Sequence, residues 1–287
     1  MTEIKKNLFC TILTYPAPSA NYRGESEENR TVLQKINIDH KDYAIFSSES
    51  IRNAIRETIA KKLENKVINR TRLHNEGQLA VEFKQVPNES KFADDFIFGY
   101  MLADKTPKKF DSVLRMNYAV ALSPYKYEAS FHQSPMNGGK SPWKNQTSSV
   151  LLHKEISNTA FQYPFALSGV DCSKHPEWIQ VLLDSIIELN QVAGGHARNY
   201  FEFAPRSIII RLTPRLVSGY NSYGFLEDGS WSELSRLNGN DLPKDEFYFG
   251  GEIVRNMSSD VKEKLNSENL FENPEKLMDK VKADFLG

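Results

Sequence analysis

The stretch SSESIRNAIRETIAKKLEN, Ser47–Asn65, governs how the rest of the chain is read. Ile51, Ala54, Ile55, Thr58, Ile59 and Leu63 recur at helical spacing. One stripe of a helix therefore faces a core, while Arg52, Asn53, Arg56 and Lys62 ride its flanks. Ser47, Ser48 and Ser50 stand at its start, where backbone N–H groups point outward without partners and an anion is welcome.

Upstream, LFCTILTY (Leu8–Tyr15) is apolar and β-rich, and Pro16 and Pro18 stop it, so it reads as a central strand. The next segment, PAPSANYRGESEENRT, reads as a polar loop that carries Asn21, Tyr22, Arg23 and Arg30 toward the helix. Downstream, NRTRL adds two arginines, and Leu79, Val81 and Phe83 alternate with polar residues as in a half-exposed strand. FADDFIFGYML (Phe92–Leu102) reads as another strand. Its adjacent carboxylates, Asp94 and Asp95, would then point to opposite faces, which suits turn or capping roles better than one shared metal ion. In RMNYAVAL the alternation of Met116, Tyr118, Val120 and Leu122 predicts a third half-buried strand with those four residues inward.

From Tyr125 to Ser149 there is too little apolar matter for a core, and the stretch reads as a long projecting loop or hairpin. Its lysines, interleaved with Tyr127, Phe131 and Trp143, suit phosphates and unstacked bases. Val150–Leu167 is extended and broken near Asn158, and Pro176 opens a second amphipathic helix bearing Trp178, Val181, Leu182, Ile186 and Leu189. A Gly194-Gly195 turn then holds His196, Arg198 and Asn199 before the β-branched strand SIIIRLT, a good place to meet a phosphate. EFYFGGEIV gives a further strand, and Asn273-Pro274 opens a terminal helix with Leu277, Met278, Val281 and Phe285 inward. The order of strand, helix, several strands, helix, strand is the βαββαβ plan of α+β, ferredoxin-like and RRM-like folds. No strand matches the aromatic base-stacking signature of RNA-recognition modules, so any grip on RNA is expected elsewhere.

Composition sets outer limits. The 287 residues are 40% hydrophobic and 25% charged, ordinary for a globular protein of one large or two small domains. Cys10 and Cys172 have no metal-ligand spacing, which fits a reducing cytoplasmic setting, and no run approaches the ~20 apolar residues of a membrane span. Net charge is −1, yet Lys105–Lys154 holds eight basic against two acidic residues, and Asp241–Gly287 seven against eleven. A basic middle and an acidic tail can face RNA on one side and a protein on the other. Nucleophile-elbow, Walker and HExxH patterns are absent.

The strings NLFCTILTYPAPSANYRGESEENRT, SSESIRNAIRE, FADDFIFGYMLA, DSVLRMNYAVAL and GGHARNYFEFAPRSIIIRLT resemble the DevR-type backbone subunit of type I, I-B-like, CRISPR surveillance complexes (Cascade). The resemblance runs from about Asn7 to Phe225. It implies one RRM-like palm domain over 1–287 with a fingers insertion near 66–112, a thumb-like loop at 125–149 and a C-terminal helical segment at about 258–287. It further implies a non-catalytic, cofactor-free subunit of an antiviral defence complex. Copies would stack head to tail along a crRNA guide, beside other Cascade subunits and target DNA paired to the guide. By the same resemblance Asn21, Tyr22, Arg23, Arg30, Ser48, Ser50, Arg52, Asn53 and Arg56 face guide phosphates, and His196, Arg198 and Asn199 form a second backbone-contacting turn. Met136, Lys140, Trp143 and Lys144 fall in the thumb-like loop, with Met136 or Trp143 as candidate wedges.

If a subunit neutralises about four phosphates, its log-log salt slope is near −2.8, so about fiftyfold in affinity is lost between 50 and 200 mM salt. A row of subunits gains avidity instead of needing extreme charge. Two other readings compete: a type III-like backbone subunit with metal-dependent RNA cleavage, and a free-standing RRM-type RNA-binding protein. The Pro16–Thr31 segment holds Glu25, Glu27 and Glu28 but no Asp, which disfavours the first.

Overall fold

The computed structural model describes residues 5–27, 30–75, 78–103, 107–133, 151–192 and 201–287. The chain runs through β1 (Asn7–Thr14), β2 (Ala17–Ser19), β3 (Tyr22–Glu27), β4 (Arg30–Leu33), β5 (Lys35–Ile38) and β6 (Lys41–Phe46) into α1 (Ser48–Lys62). Next come β7 (Arg70–Asn75), β8 (Gln78–Phe83), α2 (Ala93–Phe98), β9 (Tyr100–Leu102), β10 (Lys108–Phe110), β11 (Arg115–Met116), β12 (Ala119–Ala121) and β13 (Ala129–Gln133). After these are β14 (Leu151–Glu155), β15 (Ser157–Thr159), β16 (Phe161–Leu167), α3 (Gly169–Cys172), α4 (Pro176–Ile187) and β17 (Pro205–Thr213). The last third holds α5 (Leu234–Asn238), β18 (Phe247–Gly251), α6 (Glu252–Asn256), α7 (Ser259–Lys262), β19 (Leu270–Phe271) and α8 (Pro274–Leu286).

Among the described residues the main sheet has the order β19-β18-β17-β1-β16-β12-β6-β5, with β11 pairing β16. β1 lies at its centre, antiparallel to both neighbours, with Cys10 opposite Phe165 on one side and Ile210 on the other. Leu8, Cys10 and Ile12 point toward α1, α4 and α8 and join the larger core with Ile208, Ile210 and Tyr163. The alternate positions Leu13, Ile209 and Phe249 join a second core with Tyr220, Phe225, Trp231 and Leu237. Burial on both faces explains the continuous apolar runs of β1 and β17.

Three side chains from the sheet pin the segment that covers this second face. Thr11 donates to the Ser222 carbonyl (3.0 Å), and the Gln162 amide both donates to and accepts from the Phe225 backbone (3.3 and 3.1 Å). Buried Arg211 pairs with Glu246 (2.7 Å) and donates to the Ser218 carbonyl. On the other face α8 lies so close to the sheet that a Cβ at Gly250 would sit 2.6 Å from Leu277 Cδ2 and 2.9 Å from Ile208 Cγ2. Asn273 caps α8 by accepting from the Glu275 N–H (2.7 Å), and its buried stripe is Leu277, Met278, Val281 and Phe285.

Three expectations need correction. The segment read as a polar loop between the first strand and the helix is largely strand. β3 and β4 join β14 and β13 in a four-stranded sheet, and β5–β6 extend the edge of the main sheet. Short strands of mixed polarity carry little periodicity, and beyond the local β3–β4 and β5–β6 pairs their partners β14 and β12 are far off in sequence. Secondly, FADDFIF is a helix, α2, and only its continuation YML is strand. A helix this short is imposed by packing: Phe96 lies against Phe110 and Trp178 and is buried. Asp94 and Asp95 do act as tethers, but to the preceding loop. Asp94 accepts from the Asn69 and Arg70 N–H groups (2.8 and 2.9 Å), and Asp95 from the Asn69 amide and the Asn88 N–H (2.8 and 3.0 Å). Finally, RMNYAVAL is two short strands whose buried residues are Ala119 and Ala121, with Tyr118 exposed. The break at Asn117, whose side chain accepts from the Tyr118 N–H (2.8 Å), resets the alternation.

Candidate nucleic-acid interface

Helix α1 begins as its sequence implies. Ser47 is the N-cap, its hydroxyl accepting from the Ser50 N–H (3.2 Å), with Glu49 in the first turn and Lys61 and Lys62 in the last. Ile51, Ala54, Ile55 and Ile59 are buried. This fixes the other face, so Arg52 and Arg56, one turn apart, emerge together beside α2.

The chain after α2 is shaped to receive them. Gly99 has φ +67, and a Cβ there would lie 2.5 Å from the Phe110 carbonyl oxygen, so the turn demands glycine. The turn presents two consecutive carbonyls: Arg52 donates to Phe98 (2.6 Å) and Arg70, at the start of β7, to Gly99 (3.0 Å). Arg52 also donates to the Leu114 carbonyl (3.2 Å). The Arg56 guanidinium lies 4.3 Å from the Phe98 ring centroid, and Arg70 lies 5.1 Å from that of Phe83. Asp94 holds Arg70 in place through its backbone N–H.

Three guanidinium groups thus converge on partners that are carbonyls and rings. Burial, and then the neighbouring Arg70, pulls the Arg56 pKa down to about 10. Arg52 is lowered in the same sense, chiefly by burial, against the raising influence of Glu49. Arg56 Nε is buried without a hydrogen-bond partner. Mutual repulsion in a partly desolvated place is relieved by an anion, and phosphate suits guanidinium geometry.

A second cationic group surrounds Glu155 on β14. This carboxylate is 3% exposed, accepts from the Leu33 N–H (3.1 Å) and Lys35 (3.0 Å), and pairs with Arg30 (3.5 Å). It locks β4 against β14 and holds Arg30 and Lys35 beside Tyr127 and Tyr125, 5.8 and 4.3 Å from the ring centroids.

A curated protein resembles this chain along almost its whole length. It is the "CRISPR-associated protein Cas7/Cst2/DevR" of Myxococcus xanthus (strain DK1622), 28% identical over 285 residues that cover 92% of each protein. The similarity to that Cas7/Cst2/DevR protein thus extends over nearly the whole chain. No family model matches it. Among solved structures, a chain of a "CRISPR RNA-guided surveillance complex, pre-nicking" superposes with TM-score 0.64 at 12% identity, covering 97% of this chain and 100% of that one. A chain of another "CRISPR RNA-guided surveillance complex" gives 0.62 at 14%, covering 97% and 99%. At such identities the likeness is one of fold.

The expected site residues fall in different places. Arg52 and Arg56 meet in the arginine cleft, and Ser48 and Ser50 lie at the start of the same helix, the Ser50 hydroxyl accepting from Ser47 (3.0 Å). Asn53 is half-buried on α1. Asn21 is buried and donates to the Ile45 carbonyl (2.8 Å), and half-buried Tyr22 accepts from Gln34 (3.2 Å), so both tie strands together. Arg30 stands at Glu155. The Arg23 side chain, His196, Arg198, Asn199 and the thumb-like residues Met136, Lys140, Trp143 and Lys144 lie outside the described residues. Sequence reasoning passed over Arg70, Lys35 and Glu155 as site members. The NRTRL string signalled Arg70, but its convergence with α1 depends on the Gly99 turn 29 residues later.

Proposed function

We propose that this chain is a non-catalytic backbone subunit that holds a guide RNA in a CRISPR surveillance complex, with further copies of itself and other subunits alongside. The observation that carries the reading is the arginine cleft of Arg52, Arg56 and Arg70 in a chain that matches a Cas7/Cst2/DevR protein nearly end to end. A row of guanidinium groups on carbonyls and rings favours backbone phosphate over base edges, which suits a protein that leaves sequence reading to guide pairing with target DNA.

The strand order supports an RRM-like palm. β1, β12, β16 and β17 stand as β17-β1-β16-β12, all antiparallel neighbours, with α1 following β1 and α4 following β16. A βαββαβ unit folds in this order when both crossovers are right-handed. In this reading residues 66–112 are the fingers, the β13–β14 hairpin is the base of the thumb-like 125–149 loop, and 258–287 is a helical closing segment.

The test is to isolate the tagged chain from its own cells and size the RNA that accompanies it. Guide RNAs of uniform length, lost from an Arg52→Ala, Arg56→Ala double variant that remains folded, are the expected result. Heterogeneous RNA on a monomer supports a free-standing RNA-binding protein instead. Regularly spaced cuts in complementary RNA with magnesium would overturn the non-catalytic reading.

A further inference from the structure

The sheet face opposite the helices is only partly covered. Beside the 218–222 turn it opens into a cavity of about 410 Å³ whose floor is formed by β1, β16 and β11. The β1 alternation that sends Cys10 to the helix side puts Phe9 on this face, half-buried, with Pro164 of β16 beside it, whereas the Met116 side chain, opposite Phe165, turns to the helix-side core. Exposed Arg115 and Asn117 form one wall, and Ser222 lies on the other.

We propose that this cavity takes one unstacked nucleobase of the RNA strand held in the arginine cleft, an inference that rests on the guide-binding reading above. Three observations point the same way. Phe9 and Pro164 lie on paired strands, the first and third of the βαββαβ unit, and share the sheet face turned away from Cys10. The lining offers what a base requires: a ring and a proline for its face, an amide and a hydroxyl for its edge, and a guanidinium for the adjoining phosphate or for stacking. The volume lies within the about 300–1,000 Å³ usual for small-ligand sites.

The third observation is continuity. Arg52 of the cleft donates to the carbonyl of Leu114, and the next residue, Arg115, lines the cavity. Consecutive residues of one chain therefore belong to both places, and an RNA strand leaving the cleft rounds the sheet edge at β11 to reach Phe9. An apolar side chain from a protein partner would find Phe9 and Pro164 equally suitable, but it would leave Arg115 and Asn117 without a matching group.

The experiment is photo-crosslinking of the purified full-length chain to single-stranded RNA containing 4-thiouridine, with peptides mapped by mass spectrometry and a parallel arm using 4-thiothymidine DNA. The expected result is an RNA adduct on the peptide holding Phe9 or on that holding Asn117. Phe9→Ala should weaken RNA binding about tenfold. Arg115 is exposed, so Arg115→Ala keeps the fold and should lose the same adduct while adducts on α1 persist. RNA adducts confined to the α1 side, or adducts at Phe9 in the DNA arm alone, overturn the base pocket and leave the guide-binding reading standing. Loss of all RNA binding by the wild-type chain would instead remove the guide-binding reading.

Discussion

Replacing Arg56 by methionine separates what that residue does for the free protein from what it does for bound RNA. The fall of its pKa from 12.5 to about 10, caused first by burial and then by Arg70, leaves ionisation disfavoured in the fold. At about 1.4 kcal/mol per pKa unit this amounts to about 3 kcal/mol against the charged form at neutral pH. The contact with the Phe98 ring returns about 1 kcal/mol. Methionine is unbranched, of comparable length and well suited to lie on an aromatic ring. The RNA-free Arg56→Met variant is therefore expected to resist urea by about 1–2 kcal/mol more than the wild type. Binding should move the other way. Loss of one phosphate contact makes the log-log salt slope shallower by about 0.7, so affinity falls about 2.6-fold less between 50 and 200 mM salt. Urea unfolding and fluorescence anisotropy at several salt concentrations read the two quantities separately. A variant that unfolds more easily and keeps the wild-type salt slope would refute the reasoning, because Arg56 would then be a packing residue.

Other perturbations test the scaffold behind the cleft. Asp94→Ala leaves the Asn69 and Arg70 N–H groups without their acceptor, and at about 1–3 kcal/mol each should destabilise the chain by about 2–6 kcal/mol in denaturant unfolding. Burial, the largest influence on Asp95, raises its carboxyl above the unfolded value. Its stabilising contribution is thus complete below the unfolded pKa and is lost as pH rises through the folded one. Asp95→Asn, neutral throughout, should gain on the wild type as pH rises above the ordinary carboxylate pKa of about 4, and a pH-independent gap would count against this account. Gly250→Ala drives a methyl group into Leu277 and Ile208 and should destabilise by about 1–3 kcal/mol, with amide exchange quickening in α8 before α1.

The chain's sequence by itself determined the elements whose periodicity is local and strong. The helix from Ser48, the central strands around Cys10 and Ile209, the Pro176 helix and the Asn273-capped terminal helix all carry their stripe, cap or β-branched run within a dozen residues. Long shared strings likewise carried the family resemblance, which full-length similarity supports. Tertiary structure alone decided the rest. FADDFIF becomes helix because Phe96 and two buried carboxylates find partners elsewhere in the chain. In the 16–46 region β3 pairs with β4 and β5 with β6 locally, but β14 and β12, more than 70 residues away, build these hairpins into the larger sheets, which no local pattern encodes. The same holds for function. Arg52 and Arg56 were legible as a helix flank, but whether a flank arginine faces water or a cleft depends on where Gly99 turns the chain and where Arg70 arrives. Their charges interact through space, so the cleft exists only once the chain has folded.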